Sequence, residues 1–582
     1  MDATEPGTAL IVDSRTSRLF TAPQEIVTTN NPQVVQAALH HIDLAVAGGH
    51  TAVGFLSYEA APAFDEALRT HLPDGPPLLW FGLYEGENVL STKVPTHYQL
   101  GDWTAGVSEA EYHCAIARIH EYIAAGDTYQ VNYTFPLHAA FEGDGLAWFR
   151  DLCAAQRPGR HGDQRIYIDT GPFQILSISP ELFFTLDGYR LTTRPMKGTR
   201  RRGRWSDEDQ QLAKELAQSA KDQAENVMIV DMIRNDLGRV SETGTVRVDE
   251  LFAVERYETV WQMTSTIASE CHASLPEIFA ALFPSASVTG APKVRTMQII
   301  RELEQQPRGV YCGAIGWWGP GRQAKFSVPI RTATIDRAKG LVRYPVGSGV
   351  TWDSSPAGEY QECLDKAAIL ARPRPEFDLL ETMLWDGKEI FLLQRHLDRL
   401  AASSAYFGRP FDRDTVQGNL VATCAQTIGE PRRIRLLLDA TGTARMELHP
   451  LNELKPLKAA FAPKPVDPNN IFLYHKTTYR HIYDEARAAC PQADEVILWN
   501  TRGELSECTF GNLVLEIDGR RYTPPVRCGL LPGTYRAELL KRGEIEERLL
   551  TRDAVTEATR LWMINAVRKN VPLELCHALL NP

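Results

Sequence analysis

The chain has 582 residues, 43% hydrophobic and 23% charged, a soluble globular composition too long for one core, so two or more domains are expected. A formal net charge of -11 excludes a general nucleic-acid surface and leaves anionic ligands to local cationic or backbone N–H sites. The 10 cysteines show no CxxC pair and no zinc-like spacing, which predicts thiols in a reducing compartment. No basic-then-apolar leader follows Met1 and no apolar run is long enough to span a membrane, so a cytoplasmic protein without a membrane partner is expected.

Residues 1–105 alternate short apolar runs, such as Ala52–Leu56 and Pro77–Gly82, with Gly and Pro, and read as strands with helices between. Glu59 could be functional, but a surface or capping role fits it better. Ser108 and Glu111 form a capping-box pattern ahead of an apolar face of Tyr112, Ile116, Ile119 and Ile123, and Gly126 ends that helix. Strict alternation follows, with Tyr129, Val131, Tyr133 and Phe135 on one side and Gln130, Asn132 and Thr134 on the other. Such a polar face could line a pocket or be half exposed.

Residues 173–185 and 188–194 read as two strands joined at Asp187-Gly188, leading into Arg194-Pro-Met-Lys197-Gly-Thr-Arg-Arg-Arg202. Pro195 presets one backbone angle and Gly198 permits a sharp one, so Lys197 is expected to project from a fixed turn. With Glu181 it could supply a nucleophile and a general acid; taken alone, the stretch reads more readily as a solvated loop of charges. The next helix, ending at Gly238, places Asp222 and Glu225 on one face. Pro292 opens another helix, and strands are expected over 310–318, 325–335 and 341–346. Gly347-Ser348-Gly349 then offers backbone N–H groups to a carboxylate or phosphate. A closing helix from Ser355-Pro356 carries Glu359, Glu362 and Lys366 on one face. The four acids on two helices could hold a hard cation, although either pair alone is more often a solvated face.

Ser179-Pro-Glu181, Asp231–Arg239, Thr289-Gly-Ala-Pro-Lys293, Tyr311–Gly316 and Gly347-Ser-Gly349 with Glu359–Glu362 together resemble the chorismate-utilising enzymes, which include anthranilate, isochorismate and aminodeoxychorismate synthases. The resemblance spans about 130–370 and implies Mg²⁺ on Glu225 and Glu362, with Asp222 and Glu359 behind. It also implies chorismate held by Tyr311, Arg331 and the 347–349 backbone, beside Gln130, Thr289 and Lys366, with Glu181 as general acid. Within the family, Lys197 resembles the aminodeoxychorismate synthases (component I), and anthranilate synthases have alanine there. Gln130, where related enzymes place a water-activating lysine, disfavours isochorismate chemistry. Gln262-Met263 stands where the family often has His-Leu, so no proton shuttle is assigned. No glutaminase Cys/His/Glu set is visible, which implies ammonia from a separate glutamine amidotransferase subunit.

Ala371–Glu376 reads as a proline-rich linker. Beyond it a helix is predicted over 392–406, one hairpin at Thr441-Gly442, and a second at Asp518-Gly519 with a type I′ turn. Leu531–Arg536 leads into a helix whose N-terminus could hold a phosphate. Lys476, Glu507 in Ser506–Asn512, Arg399, Thr534 and Tyr535 resemble, in order, the fold-type IV pyridoxal phosphate enzymes. The resemblance implies that Lys476 carries the cofactor, Glu507 keeps its ring nitrogen protonated, and Arg399, Thr534 and Tyr535 form the phosphate cup. The family's opening strands are missing.

The expected architecture is therefore mixed α+β and α/β. Residues 1–105 form the N-terminal part of a synthase domain, 106–370 the chorismate-binding β-sandwich with surrounding helices, 371–376 a linker, and 377–582 a shortened fold-type IV domain, through which a homodimer could form. The economical function is two-step synthesis of 4-aminobenzoate for folate, with an aminotransferase or a non-catalytic second half as the alternatives.

Overall fold

The computed structural model describes residues 5–13, 16–88, 97–155, 164–367, 370, 375–425, 429–451 and 455–576. The chain divides into two compact units, Met1–Arg201 with Ala213–Arg374, and Arg202–Leu212 with Pro375–Pro582. Most of the expected linker, 371–374, lies outside the described residues. Among the described residues no helix is long and apolar enough to cross a membrane.

The first unit is a sandwich of two 10-stranded sheets. Alternation along the strands explains its layers. In Ala9–Val12, for example, Ala9 and Ile11 face a shared inter-sheet core with Phe20, Ile168, Val53, Phe55 and Trp80, whereas Leu10 faces the opposite way, into a core made with helices. Glu109–Ala124, Gly145–Ala155, Lys293–Leu303 and Pro356–Ala367 cover one sheet, and Pro32–Ala47, Ala220–Gly238 and Leu275–Leu282 cover the other. The first 105 residues supply strands to both sheets. The capping box at Ser108 and Glu111 is formed as expected, and Ala125 caps the end of that helix.

Two expected strands each prove to be two. The chain leaves one sheet at Ser177 and enters the other at Leu182, and a second segment crosses between Ser327 and Thr332. The two crossings are zipped together: Ile178 N donates to Arg331 O at 3.2 Å and Val328 N to Glu181 O at 3.0 Å. Pro180 and Pro329 sit inside them, where no ladder donor is needed. The lysine turn is a strand, Met196–Arg201, whose register on Val260–Glu270 shifts between Met196 and Thr199. Gly198, at φ +90°, takes the bulge. Gly347–Gly349 do not follow a strand; they lie within Leu341–Val350, paired with Asn132–Thr134 of the long Gln130–Gly143 strand. Glu59 is buried rather than at the surface, and accepts from Arg308 N at 2.6 Å and Gly309 N at 2.9 Å.

The second unit holds a 3-stranded antiparallel sheet (Leu379–Trp385, Arg432–Leu438, Ala444–Pro450) packed on helices Leu393–Phe407 and Arg413–Cys424. Beside it an 8-stranded mixed sheet closes on itself where Leu505–Cys508 pairs with both Glu495–Trp499 and Gly511–Ile517. Both hairpins form as expected. At the second turn Asp518 and Gly519 take φ of 52° and 73°, the positive pair that a type I′ turn requires.

Candidate active sites

The paired crossings bring Glu181 and Arg331 to one end of the sandwich, where both line a cavity of about 310 Å³. Arg331 sits at φ +49°, an uncommon conformation for a side-chain-bearing residue, held by the crossings on both sides. The bulged strand adds Lys197, the long strand adds Gln130 and Asn132, and its neighbour adds Gly347 and Gly349. A Cβ on Gly349 would come to 3.0 Å from Lys197 Nζ and would overlap the Gln130 amide, so the missing side chain is the space that the amine occupies. Gln262 Nε2 donates to Gly198 O at 2.9 Å while its Oε1 accepts from Thr199 Oγ1 at 3.0 Å, which fixes the backbone directly after Lys197. Burial lowers the Lys197 pKa, with Glu225 and Glu181 opposing, so the neutral amine is more accessible than in water. Burial pushes Glu181 up to about 7, although Ser287 Oγ donates to Oε1. The cavity thus sets a desolvated amine beside a carboxyl able to carry a proton near neutrality.

Asp222, Glu225, Glu359 and Glu362 all line this cavity from their two helices. They do not close into a tight cluster: among the described residues no three of them bring ligand atoms within 4.8 Å. Cations stand among them instead, with Lys366 Nζ at 2.8 Å from Glu362 Oε1 and Arg200 Nη2 at 3.1 Å from Asp222 Oδ2. Even so, Glu225 is raised by burial and further by Asp222 and Glu359, against the pull of Lys197 and Lys221. Four carboxylates on one cavity wall, with Asp222 and Glu359 both acting against the Glu225 charge, fit a hard divalent cation such as Mg²⁺.

The second unit has a cavity of about 510 Å³ lined by Lys476, Glu507, Arg399, Thr534 and Tyr535. Lys476 sits where Leu380 N donates to its carbonyl at 2.9 Å and Thr477 bridges Leu379, so the sheet edge holds its backbone. Burial, with Arg399 adding, brings its amine down to about 8. Glu507 accepts from Tyr483 Oη at 2.8 Å and Asn512 Nδ2 at 3.2 Å, and burial pushes it up to about 8. A buried acid and a desolvated lysine lining one cavity fit pyridoxal 5'-phosphate, whose ring nitrogen Glu507 would hold protonated. Arg399 lies in the lining, but its Nε and Nη2 hold Glu381 at 2.8 and 2.7 Å and its Nη1 reaches Pro532 O at 3.2 Å. Burial opposes the Glu381 carboxylate, yet Arg399 and His396 hold it at about 2. His396 Nδ1 therefore donates to Glu381, and its Nε2 accepts from Thr534 Oγ1 at 3.3 Å. Arg399 thus acts in this wall through a chain that includes His396, which sequence reasoning passed over.

A chorismate binding enzyme model matches residues 4–372. The chain belongs to that family. An amino-transferase class IV model matches residues 378–576. Aminodeoxychorismate synthase component 1 of Bacillus subtilis is 40% identical over 274 residues, 47% of this chain and 57% of that protein. The chain thus spans little more than half of that relative. The Salmonella typhimurium protein of the same name is 34% identical over 411 residues, 63% of this chain and 88% of that one. In fold, anthranilate synthase component I from Streptococcus pneumoniae superimposes with a TM-score of 0.53 at 23% identity, covering 63% of this chain and 93% of that one. The architecture is accordingly a chorismate-binding fold joined to a fold-type IV aminotransferase domain.

Of the residues expected at the substrate in this chorismate-binding unit, Thr289 and the side chain of Ser348 (expected there through its backbone) lie away from the cavity lining. Thr289 is fully buried and donates to Ser285 O at 3.1 Å, away from the cavity lining. Ser348 turns its hydroxyl to Tyr112 Oη at 2.9 Å, on the opposite face of the strand from Gly347 and Gly349. Tyr311, Arg331, Gln130 and Lys366 do line the cavity, and Lys366 Nζ donates to Gly347 O at 2.8 Å. Ser287 and Gln262 were not read as site residues. Ser287 lies two residues before Thr289, and Gln262 drew notice only as a departure from the family pattern.

Proposed function

We propose that the chain converts chorismate to 4-aminobenzoate in two reactions, one in each unit. The observation that carries the reading is the Lys197 amine seated in the space left by Gly349, in one cavity with Glu181 and Arg331. Lys197 Nζ adds to C2 of the chorismate ring, the double bonds shift, and the C4 hydroxyl leaves as water with the Glu181 proton. Ammonia, drawn from a glutamine amidotransferase partner, then adds at C4 and expels the Lys197 amine, giving 4-amino-4-deoxychorismate. Arg331 and Tyr311 hold the substrate carboxylates. A divalent cation on Glu225 and Glu362, backed by Asp222 and Glu359, would supply positive charge for a carboxylate.

The second unit takes that product. Lys476 would hold the cofactor and Glu507 would keep a proton at its ring nitrogen, and the Lys476 Nζ is the base placed to take the substrate's C4 proton as pyruvate leaves and the ring becomes aromatic. Pyridoxal 5'-phosphate, when bound, would supply the electron sink for this elimination. The names of the relatives and the class IV match support the coarser assignment.

The test is purified protein with chorismate, Mg²⁺, ammonium and pyridoxal 5'-phosphate, with products separated by chromatography. Lys197→Ala should lose aminodeoxychorismate formation by orders of magnitude while still binding chorismate. Lys476→Ala should accumulate 4-amino-4-deoxychorismate and make no 4-aminobenzoate. Wild-type 4-aminobenzoate from the Lys476 variant would remove the lyase assignment, and keto-acid-dependent turnover would make the second unit a transaminase.

A further inference from the structure

Residues Arg202–Leu212 belong to the second unit although Arg201 and Ala213, on either side, belong to the first. Their side chains are built into that unit's interior. Arg202 grips Asp209 through Nε and Nη2, both at 2.7 Å, and the two side chains are each only 6% exposed. The same guanidinium donates to Tyr406 O at 3.1 Å and lies 4.4 Å from the Tyr406 ring, whose hydroxyl donates back to Gly203 O at 2.7 Å. Trp205 packs on Tyr474 with ring centres 5.2 Å apart. The far side of this layer is the backbone that carries Lys476. Tyr406 and Phe407 enclose the His475 ring at 4.2 and 4.8 Å, and His475 Nδ1 shares a hydrogen bond with Ser403 Oγ at 3.0 Å. Trp205 also joins the apolar cluster of Tyr474 and Tyr483, and Tyr483 holds Glu507.

We propose that Arg202–Leu212 is a brace that positions Lys476, holding the Tyr474-His475 backbone so that the lysine amine stays packed away from water at the cavity wall. The proposal rests on the reading of Lys476 as the cofactor lysine. A buried ion pair of this kind adds little net stability, and holding one arrangement is a role such pairs can serve. Burial pushes His475 down to about 3, with Arg202 adding to the effect, so the ring next to Lys476 remains neutral. Trp205 carries no charge, so loosening the brace there reaches the amine only through packing.

The experiment labels the intact, cofactor-free chain with acetic anhydride across pH 6–11 and follows acetylation of Lys476 by peptide mass spectrometry. Wild-type labelling should rise with a midpoint at about 8. Arg202→Met leaves Asp209 a buried lone acid and risks unfolding the unit, so the decisive variant is Trp205→Leu. Its midpoint should move towards the ordinary lysine value of 10.5 by about one pH unit, a roughly fivefold loss of neutral amine at pH 8. Trp205→Phe, which keeps a ring on Tyr474, should restore the wild-type midpoint. A lower melting temperature alone would not move this profile. A wild-type midpoint in folded Trp205→Leu overturns the brace. A separate absorbance titration of wild type with pyridoxal 5'-phosphate tests the cofactor reading: no binding there would remove that reading and leave the labelling result standing.

Discussion

Gly349→Ala isolates the claim that the Lys197 amine is the reacting group. Gly349 is in a strand without positive φ, where glycine costs roughly 0.5–1 kcal/mol relative to alanine, so propensity alone makes the variant slightly more stable. The new methyl would lie 3.0 Å from Lys197 Nζ and inside the Gln130 amide. Comfortable separation is about 3.5–4.0 Å, so the amine must retreat by roughly 0.5–1 Å. Both obstacles are the ends of flexible side chains, so the fold can accommodate the methyl and the reacting atom cannot. A displacement of about 1 Å costs on the order of 10²-fold in rate, and half of that about tenfold. The expected result is a ten- to hundredfold fall in kcat for aminodeoxychorismate formation, about 1.4–2.7 kcal/mol of barrier, with an unchanged or higher melting temperature. In a Lys197→Ala background the same substitution should do nothing further, because both act through one amine. Turnover within twofold of wild type would refute the reasoning.

Four further outcomes follow from the first cavity. Glu181, raised to about 7, is protonated below that pH, so the acid-dependent step should decline as pH rises through it. Ser287→Ala removes a hydrogen bond that favours the carboxylate, which should raise the Glu181 pKa and carry the declining limb to higher pH. Glu362→Gln, or chelation with EDTA, should abolish metal-dependent turnover and leave the far-UV circular dichroism unchanged. Gln262→Ala should free the Gly198 carbonyl and Thr199 hydroxyl, lowering kcat by about tenfold with little change in chorismate KM, since Gln262 acts by placing the amine.

Sequence patterns located the elements better than their ends. The capping box at Ser108, the acid-bearing helix to Gly238 and both hairpins were legible because each depends on local chemistry within a few residues. The breaks at Ser179-Pro180 and Val328-Pro329 were not, because an extended chain moving between buried sheets keeps its alternation, leaving proline as the sole mark. Motif order pointed to Glu181, Lys197, Arg331, Lys476 and Glu507, all of which line cavities. It could not separate Ser348 from Gly347 and Gly349, since adjacent residues of a strand face opposite ways. The positive run at Arg200–Arg202 read as one solvated patch, yet Arg200 pairs with Asp222 and Arg202 is buried on Asp209. A partner elsewhere in the fold leaves no trace in local charge spacing.

The assignment of Arg202–Leu212 to the second unit bears on heredity as much as on mechanism. Two genes joined end to end can be parted again at the join, and each descendant keeps a whole domain. Here part of the later domain's interior is encoded some 160 residues ahead of it, inside the earlier domain's reading frame. A break near the junction would give a downstream product short of its own interior, while the upstream product would keep a stretch with nothing left to pack against. Such a join is not undone by a cut at the seam, because the second unit would leave without Arg202–Leu212.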